Sequence, residues 1–556
     1  MAIFSRKQSI DIIGNKRSPN GFFSWQMSAT KFTFACAVIF LIFFNTAFFK
    51  AFHKALPIEN LSTAFFFLSV TLLAGLAIAL TLSLIILPRI AKPIMVFLFF
   101  SAASAAYFMN TYGIVIHQNM IQNTVETDTK EALALFNGTL VMYIFILGLI
   151  PSIVLLKVKL VFGNFKQEAW NKIKLWIVIL LSLIVLVVPF TAEYASFFRN
   201  NKNIRQMVNP VNFIYASFSY ALESNKSITV TPIGQDAKLN TSAEKNTKPI
   251  LFVVVVGETA RADHFSINGY AKPTTPLIAQ QDIINYHNVF SCGTETAVSV
   301  PCMFSNLTRS KYSDKKAKSQ EGLLDVLKRS GYSVLWRDNN SSCKGACDRV
   351  AYEDMKDLKI PGLCNERECF DNILLHDIDK KVSAMNGNKV IVLHQKGSHG
   401  PDYYNRYPEN MEIFKPVCKV NKLQDCTSEE INNAFDNTIH MTDQFLNNTI
   451  EWLKTQSTSY NTAMVYLSDH GESLGENNLY LHGMPYLFAP TEQKHIPFFF
   501  WFSPGFEQDN GINRQCLMQR IDTEYSQDNL FHTTLGLLNV NTSLYKPELD
   551  MTVQCK

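Results

Sequence analysis

Apolar positions fall into two different patterns along the chain. Before residue 193 they form long runs at about 31–49, 61–87, 93–113, 136–156 and 173–192, each near the ~20 residues that a helix needs to span a bilayer. After residue 249 they form short continuous runs, "PILFVVVVG", "KVIVLH", "TAMVYLSD" and "IPFFFWF", which is how strands buried on both faces read. Helical patterns alternate with these runs, clearest at 429–456, where Ile431, Phe435, Thr438, Thr442, Phe445, Ile450 and Leu453 recur near the helical period. The pattern predicts a transmembrane domain of five spans over 1–192. It predicts a soluble α/β domain over 250–556, with a largely parallel sheet flanked by helices. Residues 193–249 resemble neither half. There "NPVNFIYASFSYAL" gathers Phe213, Ile214, Tyr215, Phe218 and Tyr220 into a helix that either lies on the bilayer surface or docks the soluble domain. A polar linker follows from Ser224 to Lys248.

Charge gives the topology. Arg6, Lys7, Lys16 and Arg17 precede the first span, Arg89 and Lys92 lie after the second, and Lys157, Lys159, Lys166, Lys172 and Lys174 lie around the fourth loop, whereas the third loop carries Glu126, Asp128 and Glu131. Basic loops stay inside. The N-terminus is therefore expected in the cytoplasm, and five spans put the C-terminal half outside. Ten of eleven cysteines lie after residue 290, as the near neighbours Cys292 and Cys302, Cys343 and Cys347, Cys364 and Cys369, Cys418 and Cys426, and Cys516 and Cys555. An even set in an exported domain reads as disulfides, although spacing leaves their connectivity open. A zinc site made by Cys343, Cys347, Cys364 and Cys369 competes with that reading. The net charge of +4 is too small to argue for nucleic acid.

Ligands of open α/β sheets collect at the carboxyl ends of strands, and here those ends carry chemistry. "FVVVVGE" delivers Glu258, "MVYLSDH" delivers Asp469 and His470, "VIVLHQKGSH" leads to His399, and His482 follows in "LYLHG". Carboxylates and imidazoles converging from separate strands suit zinc or a similar dication. In "SCGTETAVSVPC" either Thr294 or Thr296 stands before a helical run. A threonine hydroxyl attacks only when activated, and a bound dication activates it; the plainer role for both threonines is helix capping. "WRDNNSSCKGACD" offers Asp338, Asn339, Asn340 and Lys344, either for a phosphate or simply as a polar turn. Asn123, Thr127 and Glu131 are spaced four apart, which on a helix is one face, open to a lipid headgroup or to water.

Five spans, a linker, and then "GETARADHFSINGY", "SCGTETAVSVPCMFS", "WRDNNSSCKG", "GSHGP" and "SDHGESLGENNLYLHG" resemble the bacterial phosphoethanolamine transferases that modify lipid A, a family that includes the mobile colistin-resistance enzymes. The resemblance covers nearly the whole chain and implies an alkaline phosphatase/sulfatase-like catalytic domain. It implies Thr296 as nucleophile, and Glu258, Thr296, Asp469 and His470 as ligands of a tightly held Zn2+. It implies that His399 and His482 bind a second zinc or the substrate phosphate, with His399 or His482 as proton donor to the leaving group. Asn340 and Lys344 match contacts to the donor headgroup, and Asn123, Thr127 and Glu131 match polar positions near the lipid donor. The implied partners are phosphatidylethanolamine as donor, lipid A as acceptor and the inner membrane, for a monomeric enzyme. His117 in "GIVIHQNM" departs from the family, where an acidic residue is common, and changes the charge expected at the lipid entrance. A phosphoglycerol transferase of the same superfamily and a non-enzymatic membrane-anchored metal-binding protein are the rival readings. The paired cysteines argue against the first, and a threonine inside the ligand set argues against the second.

Overall fold

A computed structural model describes residues 26–127, 132–133, 135–201, 203–224, 229–240 and 247–556. The basic tail residues Arg6 to Arg17, the acids Asp128 and Glu131, and parts of the 224–248 linker lie outside the described residues.

Among the described residues four helices are long and apolar enough to cross a membrane: Leu61–Ile85, Ala91–Tyr112, Gly138–Lys157 and Phe165–Asn200. A fifth span requires counting a bent pair, Ala29–Phe43 and Thr46–Ala55, as one unit, with 58° between its halves. The 31–49 run is therefore not a single straight helix. The bend has a local cause. Asn45 donates to the Phe40 carbonyl at 2.9 Å and to the Asn209 carbonyl at 2.7 Å, and its own side-chain carbonyl accepts from Asn209 N at 2.8 Å. A buried amide satisfying groups that the ladder leaves open is a recognised origin of kinks. The last apolar helix does not stop at residue 192: a short turn at Val188–Phe190, containing Pro189, leads into a polar stretch, Thr191–Asn200. On the Val211–Ser224 helix, Phe213 and Ile214 pack inward, whereas Tyr215, Phe218 and Leu222 are exposed.

The C-terminal half is built on a seven-stranded sheet. Its spatial order is Ile283–Tyr286, Phe498–Phe502, Asn461–Ser468, Ile250–Gly257, Lys389–His394, Ser333–Asp338 and Ala351–Asp354. Phe498–Phe502 runs antiparallel to both of its neighbours, and the other pairings are parallel. Every residue of Ile250–Gly257 is buried. Phe252, Val254 and Val256 enter one core, and Leu251, Val253 and Val255 enter the other, as the two-residue period of a strand covered on both faces requires. The 29-residue helix Ser428–Gln456 covers the second core, and Asp528–Leu537 covers the first. The parallel strands end on the same side of the sheet, so Glu258, Asp469, Asn340 and the 395–399 turn start close together.

All ten exported cysteines are bonded, each to its near neighbour in sequence: Cys292–Cys302, Cys343–Cys347, Cys364–Cys369, Cys418–Cys426 and Cys516–Cys555. The four sulfurs of the competing zinc arrangement are thus taken up in two disulfides. Two of the bridges serve the scaffold. Cys418–Cys426 closes the loop just before the Ser428–Gln456 helix, and Cys516–Cys555 ties the short Arg514–Met518 helix to the Val553–Cys555 turn. Cys36, within the first apolar helix, is the free thiol.

The two halves meet where Tyr480, Leu481, Met484 and Ala489 join an apolar cluster with membrane-half residues such as Tyr112 and Ile116. Tyr112 also donates to the Asn421 carbonyl at 3.3 Å.

Candidate active site

Thr296 opens the helix Thr296–Met303, and the structure separates it from its neighbour. Thr294 donates its hydroxyl to the Met484 carbonyl at 2.6 Å. The Thr296 hydroxyl lies 3.2 Å and 3.4 Å from the two Glu258 carboxylate oxygens and 3.4 Å from His470 Nε2. The Cys292–Cys302 bridge spans this loop and helix.

One ligand atom each from Glu258, Asp469 and His470 falls within 4.8 Å of the others, and all three residues are buried. Asp469 Oδ1 accepts from the Thr259 and His470 amides at 3.0 Å and 2.7 Å. Its Oδ2 is buried with no hydrogen-bond partner, 3.2 Å from His470 Nε2. Glu258 accepts from Asn340 Nδ2 at 2.7 Å and from the Thr259 hydroxyl. The Gly471 carbonyl, 2.9 Å from His470 Nδ1, accepts that nitrogen's N–H, which keeps the proton on Nδ1 and leaves the Nε2 lone pair facing the carboxylates. Burial and the neighbouring His482 charge push His470 down to about 3, so the ring is neutral. Burial raises both Asp469 and Glu472. Buried carboxylates around an orphaned oxygen leave an uncompensated negative charge, which a divalent cation matches. The residues present fit a metal ion.

His482 and His399 face the same space, with ring centroids 5.3 Å apart, and His482 lies 4.4 Å from His470. Burial opposes a charge on His482, but Glu472 at 3.1 Å, aided by Glu258 and Asp469, raises it to about 9. Together with Thr296 and Lys344, these histidines line one end of a cavity of about 330 Å³. Its other walls come from the membrane half, among them Phe108, Ile116, Leu135 and Leu140. Asn123 and Thr127 line it too.

One sequence expectation changes here. The helix carrying Asn123 covers Gln118–Glu126, and Thr127 caps it with extended backbone, so the helical face linking Asn123, Thr127 and Glu131 is not continuous. Thr124, Val125 and Thr127 are poor helix formers, and the Thr127 hydroxyl is bound back to the Asn123 carbonyl at 2.6 Å. The acid that reaches Lys344 is Glu126, at 3.8 Å; Glu131 lies outside the described residues. Asn340 turns to Glu258 and to the Gln395 carbonyl at 2.8 Å, so it orients a metal-facing carboxylate. Asp338 is committed to His394 at 3.0 Å and Trp336 at 2.7 Å.

Several site residues had no role in the sequence reading. Glu472 charges His482; an acid two positions after His470 was a usable signal. Gln527 donates to the Ser468 and Asp469 carbonyls at 2.8 Å and 2.7 Å and accepts from the Cys292 amide at 2.7 Å, bracing the metal-facing strand end against the nucleophile loop. Glu295 accepts from Asn123 at 2.8 Å and lies 3.7 Å from His117 Nε2. Burial opposes charge on His117, yet the hydrogen bond and charge of Glu295, with the Val115 carbonyl, raise its pKa. The departure at 117 is therefore answered by an acid one residue before Thr296.

Residues 251–540 match the sulfatase family model, and 73–224 match the model described as phosphoethanolamine transferase EptA/EptB. Phosphoethanolamine transferase EptA of Escherichia coli K12 is 38% identical over 545 residues, 97% of this chain and 98% of that protein. Phosphatidylethanolamine transferase Mcr-1 of Escherichia coli is 40% identical, over 90% of this chain and 93% of that protein. The solved structure of the integral membrane lipooligosaccharide phosphoethanolamine transferase A of Neisseria meningitidis superposes with a TM-score of 0.91 at 34% identity, covering 96% of this chain and 99% of that one. With likeness to these relatives running across nearly its whole length, through membrane helices and sheet alike, the chain belongs to the phosphoethanolamine transferase family.

Proposed function

We propose that the protein moves phosphoethanolamine from phosphatidylethanolamine to a phosphate of lipid A through a covalent intermediate on Thr296. The observation that carries this reading is the shared cavity. Membrane-half apolar residues form its walls, and its polar end holds Thr296, Lys344, His399 and His482, which suits a lipid whose acyl side stays low in dielectric while its phosphodiester meets the nucleophile. The names of the relatives, which include a Kdo(2)-lipid A phosphoethanolamine 7''-transferase, support lipid A as the acceptor class.

Glu258, Asp469, His470 and the Thr296 oxygen would hold Zn2+, which supplies the Lewis acidity that makes a threonine hydroxyl a competent nucleophile near neutral pH. Thr296 Oγ1 releases its proton to solvent and attacks the phosphorus, the bond to the glycerol oxygen breaks, and His399 protonates that oxygen as diacylglycerol leaves. A phosphate oxygen of lipid A then attacks the phosphothreonine, the bond to Oγ1 breaks, and the threonine recovers its proton. His482, held cationic by Glu472, and Lys344 offset the charge on the non-bridging oxygens, the main source of rate in phosphoryl transfer. The added amine masks anionic charge on lipid A and so weakens attraction for cationic polymyxin-type peptides. Five disulfides support placing the catalytic half in the oxidising periplasm of an inner-membrane protein.

Exposing the detergent-solubilised protein to fluorescent phosphatidylethanolamine tests the reading. A phosphoethanolamine adduct mapped to Thr296, absent in Thr296→Ala, is expected. Full transfer by that variant would reject it.

A further inference from the structure

A second cavity, of about 510 Å³, draws wall residues from the same stretch of chain as the first. Ala132 and Leu135 line the first cavity, whereas Leu133 and Phe136 line the second. The remaining wall is largely charged and comes from the C-terminal half, with Lys356, Glu366, Arg367, Glu368, Lys396, Asp402 and Arg406.

Most of these charges are spoken for. Arg406 pairs with Asp402 at 2.7 Å and with Glu368, and Lys356 lies 3.4 Å from Asp354. Arg367 and Lys396 make no ion pair among the described residues; Lys396 feels Asp402 only at longer range. The cavity also receives Asn339, which is 3% exposed. Its amide nitrogen donates to the Cys369 carbonyl at 3.0 Å and to Asp371 at 2.8 Å, while its Oδ1 is buried with no partner. A buried acceptor of this kind calls for a donor. Glu366 is likewise without an ion pair among the described residues, so two cations against one carboxylate leave a net positive charge beside an unmet acceptor; with Phe136 at the membrane-half edge, this matches a phosphorylated, hydroxyl-bearing sugar on a lipid.

This cavity is only one residue away from the reaction. Asn339 precedes Asn340, which holds Glu258. Lys396 follows Gln395, whose carbonyl accepts from Asn340. Arg406 Nε donates to the His399 carbonyl at 2.7 Å. We infer that the second cavity binds the anionic sugar headgroup of the acceptor lipid, so that donor and acceptor each have a cavity of their own near Thr296. The inference rests on the two-step reading above and adds a place for the second substrate.

Two measurements on the whole protein separate the inference from its parent. In the first, fluorescent lipid A is titrated onto Thr296→Ala protein in detergent, with and without Arg367→Ala and Lys396→Ala together, so that binding is read without chemistry. The double change is expected to weaken binding about tenfold, and Lys396→Arg alone to retain it. In the second, the Thr296 adduct is formed from fluorescent phosphatidylethanolamine and chased with lipid A. Adduct formation is expected to stay within about twofold, while the acceptor KM rises about tenfold with kcat preserved. Unchanged lipid A binding, or a loss confined to adduct formation, would overturn the acceptor assignment and leave the transferase reading intact. Lipid A binding that is lost in the double variant while the unaltered protein forms no adduct would uphold the cavity and sink the covalent mechanism.

Discussion

The reaction cavity has one wall from each half of the molecule, and the two walls are held in different ways. On the catalytic side each metal-facing group is fixed by bonds to its own strand end: Asp469 by two amides, Glu258 by Asn340, His470 by the Gly471 carbonyl. Gln527 ties that strand end to the nucleophile loop. On the membrane side the Gln118–Glu126 helix reaches the site through a few side chains, Asn123 and His117 onto Glu295 and Glu126 onto Lys344. The chemistry is prebuilt in one half, and the lipid-facing wall is attached to it by separable polar contacts. Changes on the first wall should abolish turnover, and changes on the second should grade it.

The sharpest way to break this contrast is to remove the metal. Chelation is expected to lower transfer at least about a hundredfold, with recovery on adding zinc. The catalytic half should stay folded by circular dichroism, because its sheet and its five disulfides, Cys418–Cys426 and Cys516–Cys555 among them, do not depend on the ion. Stripped protein as active as loaded protein would end the prebuilt-wall argument. Next in size, Asn340→Ala frees one Glu258 oxygen and is expected to weaken metal affinity by about 10–100-fold, as losses of outer hydrogen bonds to metal ligands do. Zinc competition titration would measure it. Unaltered affinity would mean that Asn340 serves the donor headgroup, as the family resemblance implies.

On the second wall, Asn123→Ala removes a hydrogen bond to a carboxylate, a contact of about 1.5–3 kcal/mol. Donor kcat/KM is expected to fall roughly 10–100-fold while metal content stays unchanged. A parallel loss of metal would show that the two walls are not separable.

The same contrast explains what could be read from the chain. Glu258, Asp469 and His470 were visible because eight-residue strands buried at every position end abruptly in ionisable groups, a local signal. The sheet was visible for the same reason. Gln527 lies 58 residues from Asp469 and Glu295 172 from Asn123, and no periodicity encodes such meetings. The face through Asn123, Thr127 and Glu131 failed because spacing assumes a helix that β-branched residues and the Thr127 back-bond end at Glu126. The 31–49 run concealed its bend because Asn45 finds its partner at Asn209, far along the chain.

The smallest effect expected is at His117. Its side chain is 18% exposed and that of Glu295 3%, with 3.7 Å between charges, a loose pair of the kind worth about 0.2–1 kcal/mol. His117→Gln should therefore cost no more than about fivefold in transfer. An acid at this position would meet a carboxylate in this protein, so His117→Glu should cost more than His117→Gln by like-charge repulsion. If the pair acts through Glu295, then Glu295→Gln should erase the difference between the two replacements, since a double-mutant cycle isolates a contact of this kind. Equal activity of both variants with Glu295 intact would show that His117 takes no part in attaching the lipid-facing wall.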